Sequence, residues 1–309
     1  MHTRTLGNSG LRVSSIGMGC NNFGLTIDAQ LSQQLVDCAL DAGVTLFDTA
    51  PVYGTEFGAS EKILGAALGS RRSQVSIVTK FGMQPDYGRN CSRSAILNDV
   101  ESSLSRLQTD YIDVYLLHWP DLSTSIEETL RVLDDLISAG KVRYIGCCNL
   151  PAWQVVEAKL LARQAGLHEF VVTQDEYSMV STAAQHKLIP PLEKYGMGLM
   201  PYSPLANGLL TGKYTSQSDA PAGSRLANNL WNTGDKYLTP EKLAYVQKLS
   251  DYAQDHNHTL LELAVSWLLA QPVVCSVIAG STKLEQLQQN LNAGDWTLSA
   301  EQMQEIASL

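Results

Sequence analysis

The chain has 309 residues, 44% of them hydrophobic and 17% charged, with a formal net charge of −9. That length accommodates two domains or one large α/β barrel, and the apolar content excludes a disordered chain. The acidic balance argues against a nucleic-acid surface, so any anionic ligand must be held by a local cation against the overall field.

Residues TRTLGNSGLRV near the start read as a hairpin with a Gly turn, placed to plug the bottom of a barrel. Eight short apolar runs rich in β-branched residues follow, at 15–20, 45–49, 75–81, 111–118, 142–149, 170–177, 198–203 and 275–280. Helical patterns at 29–42, 95–107, 125–138, 153–165, 240–256, 260–270 and 285–292 lie between and after them, with Thr259 placed to cap the sixth. Near-continuous apolar strands alternating with helices predict a parallel sheet covered on both faces. Eight of them favour an α/β fold of the (β/α)8 TIM barrel type, one domain over 1–309. The stretch 205–238, after the seventh strand, has no clear periodicity and reads as a long functional loop.

No apolar stretch approaches the roughly 20 residues that span a bilayer, and MHTRTLGNSG lacks the apolar core of a signal peptide. Six cysteines without Cys-x-x-Cys spacing are expected to be reduced, in a cytoplasmic protein.

Chemistry in such a barrel belongs at the C-terminal strand ends. In order, the runs end in Gly19-Cys20-Asn21, Asp48, Thr79-Lys80, His118-Trp119, Cys148-Asn149, Gln174 with Glu176, Tyr202-Ser203, and Gly280-Ser281-Thr282. Nearly every strand delivers a polar group to one rim. Lys80, in a partly apolar mouth, needs a partner, and Asp48 on the neighbouring strand is the obvious one. Tyr53, beside a lysine held cationic, is expected to have its pKa lowered from about 10 and to serve as a proton donor. His118 would orient the same oxygen. Asp48, Tyr53, Lys80 and His118 thus form a catalytic set suited to a carbonyl receiving hydride. Singly, each has an ordinary structural explanation; four at the tops of adjacent strands are harder to reach by chance. No Gly-x-Ser-x-Gly elbow supports triad hydrolysis, and no ligand spacing supports a metal. Asp48 with Glu176 as a hydrolytic carboxylate pair is a weaker alternative.

The stretches FDTAPVYG (47–54), VTKFG (78–82), LLHWPD (116–121), GCCN (146–149), QDEYS (174–178), PYSPLANGLLTGKY (201–214) and VIAGSTKLEQLQQN (277–290) resemble the aldo-keto reductase superfamily, in family order over nearly the whole chain. The resemblance implies a rim-bound nicotinamide cofactor, and GMGCNNFG (17–24) spaces its glycines wrongly for a Rossmann fingerprint. It implies Tyr53 as proton donor, supported by Lys80 and Asp48, with His118 orienting the carbonyl. Asn149 and Gln174 would bond the nicotinamide carboxamide, and Tyr202 would stack on its ring. Ser203, Leu205 and Lys213 would lie over the pyrophosphate. Gly280, Ser281, Thr282 and Lys283 would hold the adenosine ribose and its 2′-phosphate, with Gln286, Gln289 and Asn290 beside the adenine. The rim residues Gly19, Cys20, Asn21 and Asp48 complete the cofactor set.

Two positions depart from the family pattern. Cys148 stands where serine is usual, weakening one bond to the carboxamide. Gln286 stands where some members have arginine, while Lys283 remains to favour NADPH, with NADH the alternative. Tyr53, His118, Trp119, Tyr87 and Trp231 would line the pocket of a small aldehyde or ketone. A sugar or polyol dehydrogenase, or a catalytically weak NADPH-binding regulator of the same fold, are the other readings.

Overall fold

A computed structural model describes residues 1–86, 88–214, 224, 226–227 and 234–309. It opens on an antiparallel hairpin, β1 (Thr3–Thr5) with β2 (Arg12–Ser14). Eight parallel strands follow: β3 (Ile16–Gly19), β4 (Leu46–Asp48), β5 (Ser76–Phe81), β6 (Ile112–Leu117), β7 (Val142–Cys148), β8 (Val172–Gln174), β9 (Gly198–Leu199) and β10 (Val277–Gly280). Their order in the sheet is β10-β3-β4-β5-β6-β7-β8-β9. The two edges meet through Leu199 N–H to Val273 O (2.8 Å), Cys275 N–H to Leu199 O (2.8 Å) and Ile278 N–H to Pro201 O (3.1 Å). Curling eight strands until the edges pair removes the exposed ladder, and the result is a (β/α)8 barrel.

The helices are α1 (Ala29–Asp41), α2 (Ala59–Leu68), α3 (Arg93–Leu107), α4 (Ile126–Ser138), α5 (Ala152–Ala165), α6 (Ala183–Lys187), α7 (Ile189–Tyr195), α8 (Gly234–Tyr237), α9 (Pro240–Asp255), α10 (Leu260–Leu269), α11 (Leu284–Asn292) and α12 (Ala300–Ala307). Side-chain caps set several starts. Asp28 accepts from the Leu31 N–H, and Ser125 from Glu128; at α10, Thr259 forms a full capping box with Glu262. Helix α2 had no strong signal in the sequence, because its N-cap is Gly58 in the left-handed region without a side-chain cap.

Strand period divides the core in two. Phe47, Ile77, Tyr115, Cys147 and Val277 pack against the helices. Leu46, Val78, Val114, Leu116, Cys148, Val172, Met200 and Ile278 fill the barrel interior together with Leu6 and Val13 of the hairpin. Successive side chains on a strand point to opposite faces, so the next inward positions beyond this interior core are Asp48, Lys80, His118, Gln174 and Tyr202. The polar rim is a continuation of the barrel's own alternation. Inward-facing Gly17 keeps the axis open, since a Cβ there would press on Ile278 and Leu46.

The hairpin closes the opposite end as expected. Leu6 is fully buried, Asn8 N–H donates to Gly196 O at 2.9 Å, and the Arg4 guanidinium donates to the carbonyls of Val274 and Leu269. Among the described residues, no helix is long and apolar enough to cross a membrane.

Candidate active site

Strand register brings the first charges together. Asp48 pairs with Val78, so Lys80, two residues on and on the same face, sits one step nearer the rim. Lys80 is fully buried, its ammonium donating to Asp48 Oδ1 at 2.8 Å and to the Thr49 carbonyl at 2.9 Å. Gln174 Nε2 donates to the same Asp48 oxygen, also at 2.8 Å. Burial opposes the ammonium charge, but Asp48 and Tyr53 outweigh it and raise the Lys80 pKa above its ordinary value. The lysine is therefore a fixed cation beneath the pocket.

Tyr53 lies over this pair, with Lys80 Nζ 4.9 Å from its ring centroid. Its phenol differs from expectation. Burial, the largest influence, exceeds the stabilisation that Lys80 gives the phenolate and pushes the pKa up to about 12. The group is a firmly protonated phenol. His118 meets the Tyr53 ring edge-on, with centroids 6.0 Å apart at 86°. Burial and then the Lys80 charge hold its pKa well below the usual histidine range, so its imidazole is neutral. Its Nδ1 is buried without a hydrogen-bond partner among the described residues.

A second network surrounds Asn149, a non-glycine residue at φ 59°. Its amide donates to the His118 carbonyl at 3.0 Å, and its Oδ1 accepts the Tyr202 hydroxyl at 2.9 Å. Each end of this carboxamide keeps one further bond in reserve for a ligand. Cys148 Sγ lies 3.8 Å from Gln174 Oε1, a long thiol contact in place of the stronger bond a hydroxyl would make. Ser203, also at positive φ (51°), turns the chain away from the barrel into the turns at Ala206–Thr211.

The phosphate-end candidates cluster where β10 leads into α11. Gly280 packs against the Asn21 side chain, and Ser281 is held by Asn22 through its carbonyl (3.3 Å) and by Asn290 through its hydroxyl (3.1 Å). Gln286 accepts both the N–H and the hydroxyl of Thr282 at 3.0 Å, so it shapes the loop. Lys283 occupies the N-cap of α11 with no side-chain cap, leaving first-turn N–H groups free to meet an anion beside a lysine. Gln289 is exposed on the same helix, as is Lys213 on the loop beyond β9, its ammonium over the Tyr214 ring. Leu205 is partly buried against the outer core. At the other edge of this region, Gly19 approaches Gly280 closely and Cys20 is buried.

Of the substrate-pocket candidates, Trp119 is half-buried beside His118, with the Arg89 guanidinium 5.3 Å from its ring centroid. Tyr87 and Trp231 lie outside the described residues. Glu176 does not join Asp48. It accepts the Tyr237 hydroxyl at 2.7 Å and pairs with Lys236, tying β8 to helix α8. The two carboxylates are engaged by different partners.

Two participants escaped sequence reading. The Thr49 carbonyl is a backbone group, and Asp175, which accepts the Thr173 hydroxyl, lies just past β8 at an outward position. Asp175 stands inside QDEYS, but strand period alone points it away from the pocket.

A sequence model described as the Aldo/keto reductase family matches residues 15–309. A rice (Oryza sativa subsp. japonica) protein named "Probable voltage-gated potassium channel subunit beta" is 38% identical over 303 residues, covering 96% of this chain and 92% of its own. An Arabidopsis thaliana protein of the same name is also 38% identical, with the same coverage. "Uncharacterized oxidoreductase YrpG" of Bacillus subtilis (strain 168) is 33% identical over 308 residues, again at 96% and 92%. A closed barrel carrying Asp48, Tyr53, Lys80 and His118 on one rim, matched by that model over nearly its whole length, belongs to the aldo/keto reductase family and is an NAD(P)H-dependent oxidoreductase.

Proposed function

We propose that the protein reduces small aldehydes or ketones with NADPH, and that Tyr53 protonates the carbonyl oxygen. The observation that carries this reading is the buried Lys80–Asp48 pair beneath the Tyr53 ring. The residues present fit a nicotinamide dinucleotide: Asn149, Gln174 and Tyr202 at the ring end, and Ser281, Thr282 and Lys283 with the uncapped start of α11 at the phosphate end. A reduced nicotinamide, when bound, supplies the hydride. The chain's own work concerns the oxygen. Neutral His118 offers one N–H to orient the carbonyl, and the Tyr53 hydroxyl delivers its proton as negative charge develops there. Lys80, kept cationic by Asp48, lowers the cost of the phenolate left behind. Lys283, a cation in an acidic chain, favours the 2′-phosphate of NADPH over NADH.

The names of the rice and Arabidopsis relatives support a second reading, a catalytically weak NADPH-binding regulatory subunit of a larger assembly. The complete set of four rim side chains favours turnover. A screen of aldehydes and ketones that follows NADPH absorbance separates the two. Tyr53→Phe is expected to lower kcat on the best substrate by about 100-fold or more while NADPH still binds. Full activity in Tyr53→Phe would sink the mechanism.

A further inference from the structure

We infer that Ser60, in the first turn of α2, is a positioning residue that sets Tyr53 against Lys80, an inference that rests on the function proposed above. Ser60 is fully buried. Its hydroxyl donates to the Cys20 carbonyl just past β3 at 2.8 Å, and the Thr49 hydroxyl just past β4 lies 2.8 Å from the same oxygen. A hydroxyl has one proton, and the carbonyl takes it, so Thr49 is the donor to Ser60. The backbone N–H of Ser60 donates to the Tyr53 carbonyl at 3.1 Å. One residue therefore holds the loop of the proton donor and the ends of two barrel strands.

Both grips lead to reacting groups. Thr49 offers its carbonyl to Lys80 Nζ at 2.9 Å, and the Cys20 N–H donates to the Asp48 carbonyl at 2.8 Å. Tyr53 lies beyond the end of β4, and its own N–H bonds within the turn, to the Ala50 carbonyl at 3.1 Å. The bond from Ser60 ties the Tyr53 carbonyl to α2. A side chain at the N-cap would compete for this first-turn N–H, but Gly58 stands there and leaves it to Tyr53.

The helix start is itself anchored. Glu61, fully buried beside Ser60, accepts the Thr79 hydroxyl of β5 at 2.6 Å and the Arg106 guanidinium of α3 at 2.6 Å. Ser60 is thus a fixed post, and a loop released from it has freedom that α2 does not share. The Cys20 carbonyl also accepts the Phe23 N–H at 3.0 Å, so losing the Ser60 hydroxyl leaves no backbone group orphaned there. Among the described residues, none of the Ser60 bonds goes to Asn149, Gln174 or Tyr202. Its removal should therefore be felt in the chemical step and not in cofactor binding.

The test measures NADPH binding by fluorescence and NADPH oxidation in single turnover, enzyme in excess, on the best carbonyl substrate of the screen. It compares wild type, Ser60→Ala and Thr49→Val, each also in a Tyr53→Phe background. Ser60→Ala should slow the chemical step about tenfold, the cost of a small misplacement of reacting groups, with NADPH Kd within about twofold of wild type. Thr49→Val, which removes the donor to Ser60 and keeps its shape, should act in the same direction. In the Tyr53→Phe background neither should slow the residual rate further, because both act through Tyr53. A merely structural role would lower the rate in both backgrounds. Should Ser60→Ala fail to fold, Thr49→Val decides alone. An unchanged rate in a folded Ser60→Ala, an equal loss with and without the Tyr53 hydroxyl, or a rise in Kd that accounts for the loss overturns the role of Ser60. Wild-type protein that oxidises NADPH with no aldehyde or ketone overturns the functional reading beneath it, and this inference with it.

Discussion

At Tyr53 two influences compete, burial that disfavours the phenolate and a lysine that favours it, and burial is the larger. Proximity of a cation in sequence does not reveal how much water the fold removes from both groups, which is why the sign of the shift was not legible beforehand. The consequence is measurable. In the free protein Tyr53 must be protonated to act, so the alkaline limb of kcat/KM for reduction should fall at about 12 rather than near the ordinary phenol value of about 10. His118, held neutral by burial and Lys80, should add no limb near the usual histidine range. A pH profile of kcat/KM that falls between 9 and 10 would contradict the burial of Tyr53 described above.

The elements are unevenly legible in the sequence, and the reasons are local. Helix α10 was legible because Thr259 caps it and Glu262 completes the box, a signal carried within four residues. Thr259→Ala should therefore cost about 1 kcal/mol in chemical unfolding, with no change in cofactor binding. Helix α2 begins at a left-handed glycine, so its start is written in backbone conformation and not in a capping side chain. Strands β8 and β9 are shorter than their apolar runs, because their polar ends leave the sheet to form the rim. The runs predicted where the chain is buried; hydrogen bonding decided where the ladder stops.

At the scale of the molecule, the barrel depends on close backbone approaches that no side-chain pattern announces. A Cβ on Gly198 would overlap the Cys275 sulfur and come within 2.8 Å of the Gly7 nitrogen, where β9, the stretch leading into β10 and the hairpin meet. Gly198→Ala should destabilise the fold by about 2 kcal/mol or more, seen as a lowered Tm, while leaving the distant catalytic rim intact in the folded fraction. An unchanged Tm would mean that the hairpin does not seat tightly under the barrel.

The sequence by itself determined the (β/α)8 architecture and the rim positions of Asp48, Lys80 and His118, because these follow from a period of two along the strands. Tyr53 lies beyond the end of β4 and outside that period. From the interior residues Leu46, Val78 and Val172, the next inward residue toward the rim is polar, and it marks the site at Asp48, Lys80 and Gln174. Only the tertiary structure decided the firm protonation of Tyr53, the loop-shaping use of Gln286 and the link Asn149 makes between the His118 carbonyl and the Tyr202 hydroxyl. Each of these depends on what lies across a gap between strands, on burial and on backbone N–H and C=O groups. Side-chain identity along the chain carries none of that information.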